Sequence, residues 1–419
     1  MSSNTDKLRI IEPVFFVPNS RCEIRLQPDT IYRADARLIE IGAQGGATAY
    51  NSLLGALSVI KSIGLFDGAT PLDTINDFGQ WRAIQSLNVK NDSAISVGRY
   101  TAHYDLGYIV QGIENLTEGF FGTDQNISIA QPDNATGDVA WISLKSVFPF
   151  LAASDIIPTN IYRQMRLVIE FNSTAEMQQL VVDSTVNNLV TTRPLLLIDE
   201  MMPSPERDEA MAMYQPPVWA TMVQDSFNLP AQGGTADNNA NRVIPQEINQ
   251  KLRGFNGQYV RDLTVKVTPL VTPAAGTDNF PFGRLGSQSL WTPSLQVVVN
   301  GSNLMPRQGI QGKMRALAHY TDSLGSIPTF YPQATNGQKF AANAVQAKLQ
   351  NTQGQLNLFG IDVEDMVEDL QLNIRRLAVF NNPTTSASYT INVFGRCARR
   401  VQLMAGAGVS DTKYRIVFA

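Results

Sequence analysis

The chain has few of the side chains on which catalysis and metal binding most often depend. Its 419 residues include two cysteines and two histidines. Cys22 and Cys397 stand near opposite ends of the sequence, and we expect two buried free thiols, with a disulfide between them as the alternative. His103 and His319 are too few to complete a Cys/His metal set, so we expect both to be structural or surface residues.

The recurring motifs of active sites are also missing. No G-x-S-x-G segment occurs, although a Ser–His–Asp site on another framework stays open. The segment 309–313 (GIQGK) has neither the four-residue gap nor the following Ser/Thr with which a P-loop grips phosphate and Mg²⁺. We therefore assign no catalytic, cofactor-binding or metal-ligating residue, and we expect a protein that is not an enzyme and needs no cofactor.

Charge is scarce, and the polar surface is largely neutral. Charged residues make up 17% of the chain, where about 25% is usual, whereas there are 30 Asn and 28 Gln. Desolvating an amide costs less than desolvating an ion, so this surface suits contacts between loops and between subunits. The net charge of −4 and the lack of a long basic run predict no specific nucleic-acid site.

Membrane and secretion signals are missing from the sequence. No apolar run approaches the ~20 residues that span a bilayer. The first residues (MSSNTDKLRII) lack a basic region followed by an apolar core, which predicts that no signal peptide is present.

Two groups of like charge stand out toward the C-terminus. Their members are Glu364, Asp365, Glu368 and Asp369, and Arg375, Arg376, Arg396, Arg399 and Arg400. We expect the acidic group to be a solvated face or a subunit contact, with a divalent-ion site across a subunit interface as the alternative. The arginines are expected at an interface or in solvent, with contact to nucleic acid or an anionic membrane as the alternative.

The clearest strand pattern lies within residues 139–171. Its second half alternates Met165, Leu167, Ile169 and Phe171 with Arg166, Val168 and Glu170. This period of two places the first set on one face of a strand. Pro149 and Pro158 forbid a long helix in the middle. The pattern predicts two one-sided strands joined by a short irregular crossing, a unit of an antiparallel sandwich without any catalytic feature.

The remainder of the first half mixes strands, turns and one helix. Residues 57–66 predict a strand, with a helix as the alternative, and the following Asp67-Gly68 is a turn signal. An amphipathic helix is predicted over 72–87. The proline-bounded apolar segment 14–17 is expected to dock on a neighbour or on a sheet.

The sequence as a whole predicts an all-β protein built from two consecutive β-sandwiches with short helices and long loops. Strand patterns recur in the second half over 219–229, 263–267 and 389–403, but no sequence repeat relates the halves. Residues 201–217 are rich in proline and charge, as in a linker, although 206–214 also fits a helix. The predicted plan is an N-terminal arm (1–20), a first sandwich (21–205), a linker (206–217) and a second sandwich (218–419).

Two segments together resemble a known family. One spans residues 50–81 (YNSLLGALSVIKSIGLFDGATPLDTINDFGQW), with Ile60, Lys61, Leu65, Asp67, Gly68, Leu72 and Asp73 in order. The other combines ISLKSVFPFL (142–151) with IIPTNIYRQMRLVIEF (156–171). They resemble the first half of the double jelly-roll major capsid proteins of tailless icosahedral DNA viruses, of the polinton-like virus and virophage type. About a third of the chain takes part, through apolar patterns with a few polar anchors, and the second half matches in character only.

The resemblance implies a structural protein of the virion that assembles itself into an icosahedral capsid. Each chain would hold two jelly rolls side by side, and a homotrimer would form a pseudo-hexagonal capsomer. The implied partners are neighbouring capsomers, penton proteins and minor capsid proteins, and an inner membrane stays open. The mobile arm would lie on the inner side of the shell or reach a neighbour. Synthesis would take place in the cytoplasm or nucleus of the host cell.

Two other functions stay open at this point. A different structural or scaffolding virion protein could have the same fold and would differ in its copy number. A carbohydrate-binding or hydrolytic β-sandwich predicts a groove lined by tryptophan with paired carboxylates. The four tryptophans are far apart in the sequence, and none has an acidic residue at a spacing that would indicate such a site. They are Trp81, Trp141, Trp219 and Trp291.

Overall fold

The computed structural model describes residues 6–44, 59–79, 81, 140–173, 190–229, 243–269, 289–304, 358–380, 389–404 and 413–418. The strands of the first half are β1 (Asp6–Ile11), β2 (Phe15–Val17), β3 (Arg21–Arg25), β4 (Ile31–Arg33), β5 (Arg37–Ile41), β6 (Ala43–Gln44), β7 (Ile60–Asp67), β8 (Thr70–Ile75), β9 (Ala140–Ser143), β10 (Ile156–Pro158), β11 (Met165–Phe171), β12 (Val190–Thr191) and β13 (Leu195–Met201). Those of the second half are β14 (Val218–Leu229), β15 (Val243–Lys251), β16 (Gln258–Pro269), β17 (Ser289–Val299), β18 (Ser302–Asn303), β19 (Leu358–Val367), β20 (Leu370–Phe380), β21 (Tyr389–Met404) and β22 (Lys413–Phe418). The described α-helices are α1 (Pro149–Ala152) and α2 (Pro205–Ala212), and 3-10 turns span Leu144–Ser146 and Arg253–Phe255.

The first half forms an antiparallel sandwich with two main sheets. One sheet has the order β10-β4-β13-β5-β9, with β1 added to β13, and the other has the order β2-β3-β11-β7-β8. Strand β11 lies between β3 and β7, both far from it in the sequence. Long connections that return a strand between earlier ones are typical of Greek-key sandwiches. Leu38, Ile142 and Ile169 are among the fully buried residues of the shared core.

The second half forms another antiparallel sandwich. One sheet has the order β14-β21-β16-β19, with β22 added to β21, and the other has the order β15-β20-β17-β18. Leu263 and Val265 of β16 alternate into the core, where they meet Ile391 and Val393 of β21. The prediction of an all-β fold with two consecutive sandwiches is therefore confirmed.

The stretch 139–171 has the predicted form. β9 leads into a 3-10 turn, α1 and the short β10, and the chain then enters β11. Helix α1 has only four residues and starts at Pro149. Proline suits the first position of a helix, because a backbone N–H there would have no partner within the helix. Met165, Leu167, Ile169 and Phe171 are all buried, whereas Glu170 is exposed. The predicted core face of β11 is confirmed.

The helix predicted over 72–87 is wrong at its start, because residues 70–75 form strand β8. The Asp67-Gly68 turn, with Gly68 at a φ of 58°, closes a hairpin between β7 and β8. In this ladder Leu65 pairs with Asp73 and Phe66 pairs with Pro71, so Leu72 is an extra, bulged residue. Because of the bulge, Leu72 and Ile75 are both buried, and buried residues three positions apart are also the pattern of an amphipathic helix. Phe78, Gly79 and Trp81 are helical, in agreement with the later part of the prediction, and residues 80 and 82–87 lie outside the described part.

Two predicted boundary segments contain regular structure. Within the expected arm 1–20, β1 pairs with β13 and β2 pairs with β3, so residues 6–17 are joined to the first sandwich. Within the expected linker 206–217, α2 occupies most of the chain, as the helical reading of 206–214 allowed. Ser204 caps this helix by accepting a hydrogen bond of 3.2 Å from the N–H of Arg207.

Several expectations fall on residues outside the described part. His103, His319 and the segment 309–313 are among them.

Candidate functional site

The acidic residues of the second half surround the turn between β19 and β20, where each interacts with local partners. The Asn300 side chain accepts from the backbone N–H groups of Glu368 and Asp369 at 2.8 and 3.1 Å. Asp369 lies 3.2 Å from Lys251, and Gln371 with Lys251 lowers the pKa of its carboxyl. No group of three or more acidic, histidine or cysteine side chains in the described part of the chain could hold a metal ion. In the single chain these residues form a turn with local hydrogen bonds and one ion pair, and a subunit contact or an ion across a subunit interface stays a prediction.

The five arginines lie on two strands that belong to different sheets. Arg375 and Arg376 lie on β20, whereas Arg396, Arg399 and Arg400 lie on β21. The Nε of Arg396 donates to both oxygens of Asp262, at 2.9 and 2.7 Å. Arg399 is close to Asp73 of the first sandwich, and burial lowers the pKa of its guanidinium. Arg400 is exposed. Two of these arginines thus belong to polar contacts within the chain.

The two cysteines are buried free thiols, as predicted. Cys22 lies in the core of the first sandwich and Cys397 in the core of the second. Burial raises the pKa of each thiol to about 12. Both side chains are therefore protonated at neutral pH and act as small apolar core residues.

Asp73 of β8 connects the two sandwiches through a buried hydrogen bond. Its Oδ1 accepts from the Thr221 hydroxyl on β14 at 2.7 Å, and its Oδ2 accepts from the backbone N–H of Phe150 at 3.1 Å. Asp73 and Thr221 have no exposed surface. Burial raises the pKa of the Asp73 carboxyl to about 7, against the opposing influence of its hydrogen-bond donors and of Arg399. This side chain is a polar anchor for the second sandwich.

Aromatic rings fill the contact around this anchor. Phe150 packs edge-on against Trp219 with 5.1 Å between ring centroids, and Trp81 packs on Phe394 at 5.7 Å. Trp81 and Trp219 are buried between the sandwiches, so neither lines an open groove of the kind that a carbohydrate-binding site requires. The side chains of the other two tryptophans lie outside the described part.

Three tyrosines connect the first sandwich, the segment after α2 and the last strand. The hydroxyls of Tyr162 and Tyr214 are 2.9 Å apart, and the rings of Tyr162 and Tyr414 meet edge-on at 5.0 Å. Tyr414 on β22 donates to Asp67 of the β7–β8 turn at 2.7 Å. Burial raises the pKa of all three phenols. The C-terminal strand therefore packs against the first sandwich.

The outward face of β16 and β21 also lies against the first sandwich. Three cross-strand pairs occupy it, namely Asp262 with Arg396, Thr264 with Phe394, and Lys266 with Asn392. The ring of Phe394 belongs to the core of the first sandwich. Lys266 has no exposed surface, and its burial lowers the pKa of the amine to about 7, opposed by the charge of Asp77. A lysine and an acid from different sandwiches thus interact inside the contact.

Apolar side chains are exposed along the first two strands. Leu8 and Ile10 point outward from β1 with 58% and 60% of their surface exposed, and Phe15 of β2 is 49% exposed. The ring of Phe16 instead packs edge-on against Phe171 of β11 at 6.2 Å. The expectation that segment 14–17 docks on a sheet is thus confirmed for Phe16, whereas Phe15 is left uncovered in the single chain.

Sequence reasoning missed the buried polar groups of the contact. Asp73 fell within the predicted helix, and Lys266 fell on the polar side of an alternating strand. A signal was nevertheless present for Asp73, because this residue is part of the family-like motif in residues 50–81.

None of the helices that the structure describes has the length and apolarity to cross a lipid bilayer. No family model and no curated protein sequence matches the chain.

Solved structures match the chain over nearly its full length. PBCV-1 Vp54, fitted into a cryo-EM reconstruction of the virophage Sputnik, has a TM-score of 0.55 at 11% identity, covering 99% of this chain and 97% of its own. The quasi-atomic model of the PBCV-1 virus capsid has a TM-score of 0.50 at 11% identity, with the same coverage. The mavirus major capsid protein has a TM-score of 0.45 at 11% identity, covering 98% and 90%. The first two establish that the chain has the double jelly-roll fold.

Proposed function

We propose that the chain is the major capsid protein of an icosahedral virus and has a structural, non-enzymatic role. The observation that carries the proposal is the likeness to the PBCV-1 capsid model, which spans 99% of this chain and 97% of the other. A fold alone does not specify a function. Two further features of the described residues support the proposal: a large apolar and aromatic contact that joins the sandwiches, and apolar side chains that a single chain leaves exposed.

The proposed assembly unit is a homotrimer whose six jelly rolls form a pseudo-hexagonal capsomer. Closed symmetry would cover apolar surface such as Leu8, Ile10 and Phe15 without leaving open edges. Permanent interfaces of this kind bury roughly 2,000 Å² or more. Residues 1–20, 21–205, 206–217 and 218–419 would serve as arm, first jelly roll, linker and second jelly roll.

The proposed location is the capsid of the virion, after synthesis in the cytoplasm or nucleus of the host cell. Neighbouring capsomers, penton proteins and minor capsid proteins would be its partners there. An inner membrane beneath the shell would be a further contact. Because the chain has no long basic run, its role in the shell does not include a specific nucleic-acid site.

Light scattering coupled to size-exclusion chromatography tests the oligomer. A compact trimer that survives dilution is expected, and a monomer that persists at high concentration would contradict the proposal. Negative-stain images of the same sample should show pseudo-hexagonal particles. Copy number in purified virions separates the major capsid protein, which dominates a stained gel, from a scaffolding or minor structural protein of the same fold.

A further inference from the structure

Lys266 and Asn392 stand directly opposite each other on neighbouring strands. They pair in the antiparallel register of β16 and β21, two residues beyond the pair Thr264 and Phe394. Side chains of directly opposite residues project from the same face, with Cβ atoms about 4.5–5.5 Å apart. The flexible four-carbon stem of a lysine easily reaches the carboxamide of an asparagine at this separation.

The pair is closed off from water. Lys266 has no exposed surface and Asn392 has 4% of its surface exposed. The first sandwich covers this face, because Phe394, in the adjacent pair, packs on Trp81. Because water is excluded, hydrolysis of the Asn392 carboxamide would not compete with attack by the Lys266 amine.

The same contact supplies an acid and an uncharged amine. Asp77, which follows β8 in the first sandwich, is near enough to Lys266 to interact with its charge. Burial lowers the pKa of the amine to about 7, so a large fraction of it is the neutral, nucleophilic form at neutral pH. Asp262 and Arg396, a charged pair on the same face of β16 and β21, are engaged with each other, and Arg399 interacts with Asp73 elsewhere in the contact.

We propose that Lys266 and Asn392 join in an intramolecular isopeptide bond, with Asp77 as the group that transfers the proton. The lone pair of the Lys266 Nζ attacks Cγ of Asn392 and forms a new C–N bond. The Asp77 carboxylate takes a proton from Nζ and passes it to Nδ2 of Asn392. The bond between Cγ and Nδ2 then breaks, and one molecule of ammonia leaves. Asp77 ends as it began, and neither oxidant nor reductant is consumed.

The bond would link the two central strands of the β14-β21-β16-β19 sheet. It lies against the first sandwich, so that it would form only after the two sandwiches have packed. This modification goes beyond the proposed capsid role and does not depend on it, since the reaction takes place inside one chain.

The test is the mass of the purified full-length chain, measured under denaturing conditions. The expected mass is lower than the sequence mass by one ammonia, and a protease digest should give one branched peptide that contains residues 266 and 392. An intact mass equal to the sequence mass, or separate unbranched peptides for the two positions, would overturn the proposal. A loss of one water with a branch to Asp77 would overturn the assignment of Asn392.

Variants test the role of each side chain. Lys266→Arg and Asn392→Ala should restore the full sequence mass, whereas Lys251→Arg, at an exposed lysine, should keep the loss of ammonia. Asp77→Asn should leave the chain unlinked while its oligomeric state stays that of the wild type. Complete linkage in Asp77→Asn would overturn the assignment of Asp77 as the proton-transfer group.

Discussion

The hydroxyl of Thr221 in the second sandwich donates a hydrogen bond of 2.7 Å to the carboxyl of Asp73 in the first, and both residues are fully buried. A buried acid is costly unless donors surround it. Here Thr221 and the Phe150 N–H provide these donors, one from each sandwich. The two jelly rolls are therefore joined at this point by a fully buried polar contact.

Removing the hydroxyl should weaken this arrangement. Thr221→Val keeps the shape of the side chain but deprives Asp73 of a donor, and the free energy of unfolding should fall by about 1–3 kcal/mol. Urea denaturation followed by fluorescence measures the change. Thr390→Val is the matched control, because Thr390 donates to Asn228 at an exposed site, where a change within about 0.5 kcal/mol is expected. Equal losses in the two variants would contradict the assigned importance of Asp73.

The burial of Asp73 predicts a definite dependence on pH. Its folded pKa is raised from 3.8 to about 7, so its contribution to stability is fully present below pH 3.8 and is lost as the pH rises through about 7. The stability of the wild type relative to Asp73→Asn should therefore fall between pH 4 and 7, by on the order of 4 kcal/mol. Thermal unfolding of both proteins across this range measures the difference. A difference that stays flat or rises would show that Asp73 is ionised throughout.

The buried face of β11 can be tested with a charge. Leu167→Asp places an unpaired carboxylate in the core of the first sandwich, where Leu167 is 2% exposed. It should abolish the proposed soluble trimer, because a lone buried charge costs several kcal/mol. Glu170→Ala, on the exposed face of the same strand, is the control and should leave the trimer intact. Trimer yield by size-exclusion chromatography is the measurement, and survival of the Leu167→Asp trimer would show that this face is not core.

The strands that could be predicted from the sequence are those with one regular buried face. In β11 the residues at every second position, from Met165 to Phe171, are apolar and buried, so the period and the burial of this face agree. Strand β8 was missed because Leu72 is a bulged residue. The bulge turns Leu72 and Ile75 to the same buried face, and their three-residue separation is the spacing expected of a helix. A bulge depends on the partner strand, which the local sequence does not contain.

The buried polar groups between the sandwiches could not be predicted from the local sequence, for a related reason. Lys266 follows Asp262 and Thr264 on the polar side of β16, a pattern typical of a face in water. It is buried because the first sandwich, far away in the sequence, covers that face. The apolar residues of β1 are the opposite case, because they are exposed in the single chain and only the proposed trimer would cover them.

Close packing at Gly395 gives a prediction for the second core. A Cβ at this position of β21 would overlap the ring of Phe255, which is fully buried. Gly395→Ala should therefore lower the free energy of unfolding by about 1–3 kcal/mol through overpacking. Gly254→Ala is the control, since its Cβ would meet only the Asp225 side chain, at 3.5 Å or more. Chemical denaturation should separate the two variants, and equal stability would mean that the ring moves aside.

The exposed apolar edge gives the prediction that bears most directly on assembly. Ile10 on β1 is 60% exposed in the single chain, so Ile10→Glu should cost the folded monomer little, within about 0.5 kcal/mol. If a neighbouring subunit covers this residue, the same change buries an unpaired charge in the interface and should shift the trimer toward monomer at a given concentration. Light scattering over a dilution series measures the shift, and circular dichroism verifies the fold. Lys7→Gln, three residues earlier on the other face of the same strand, is the control. If both variants form trimers equally well, β1 lies outside the subunit interface.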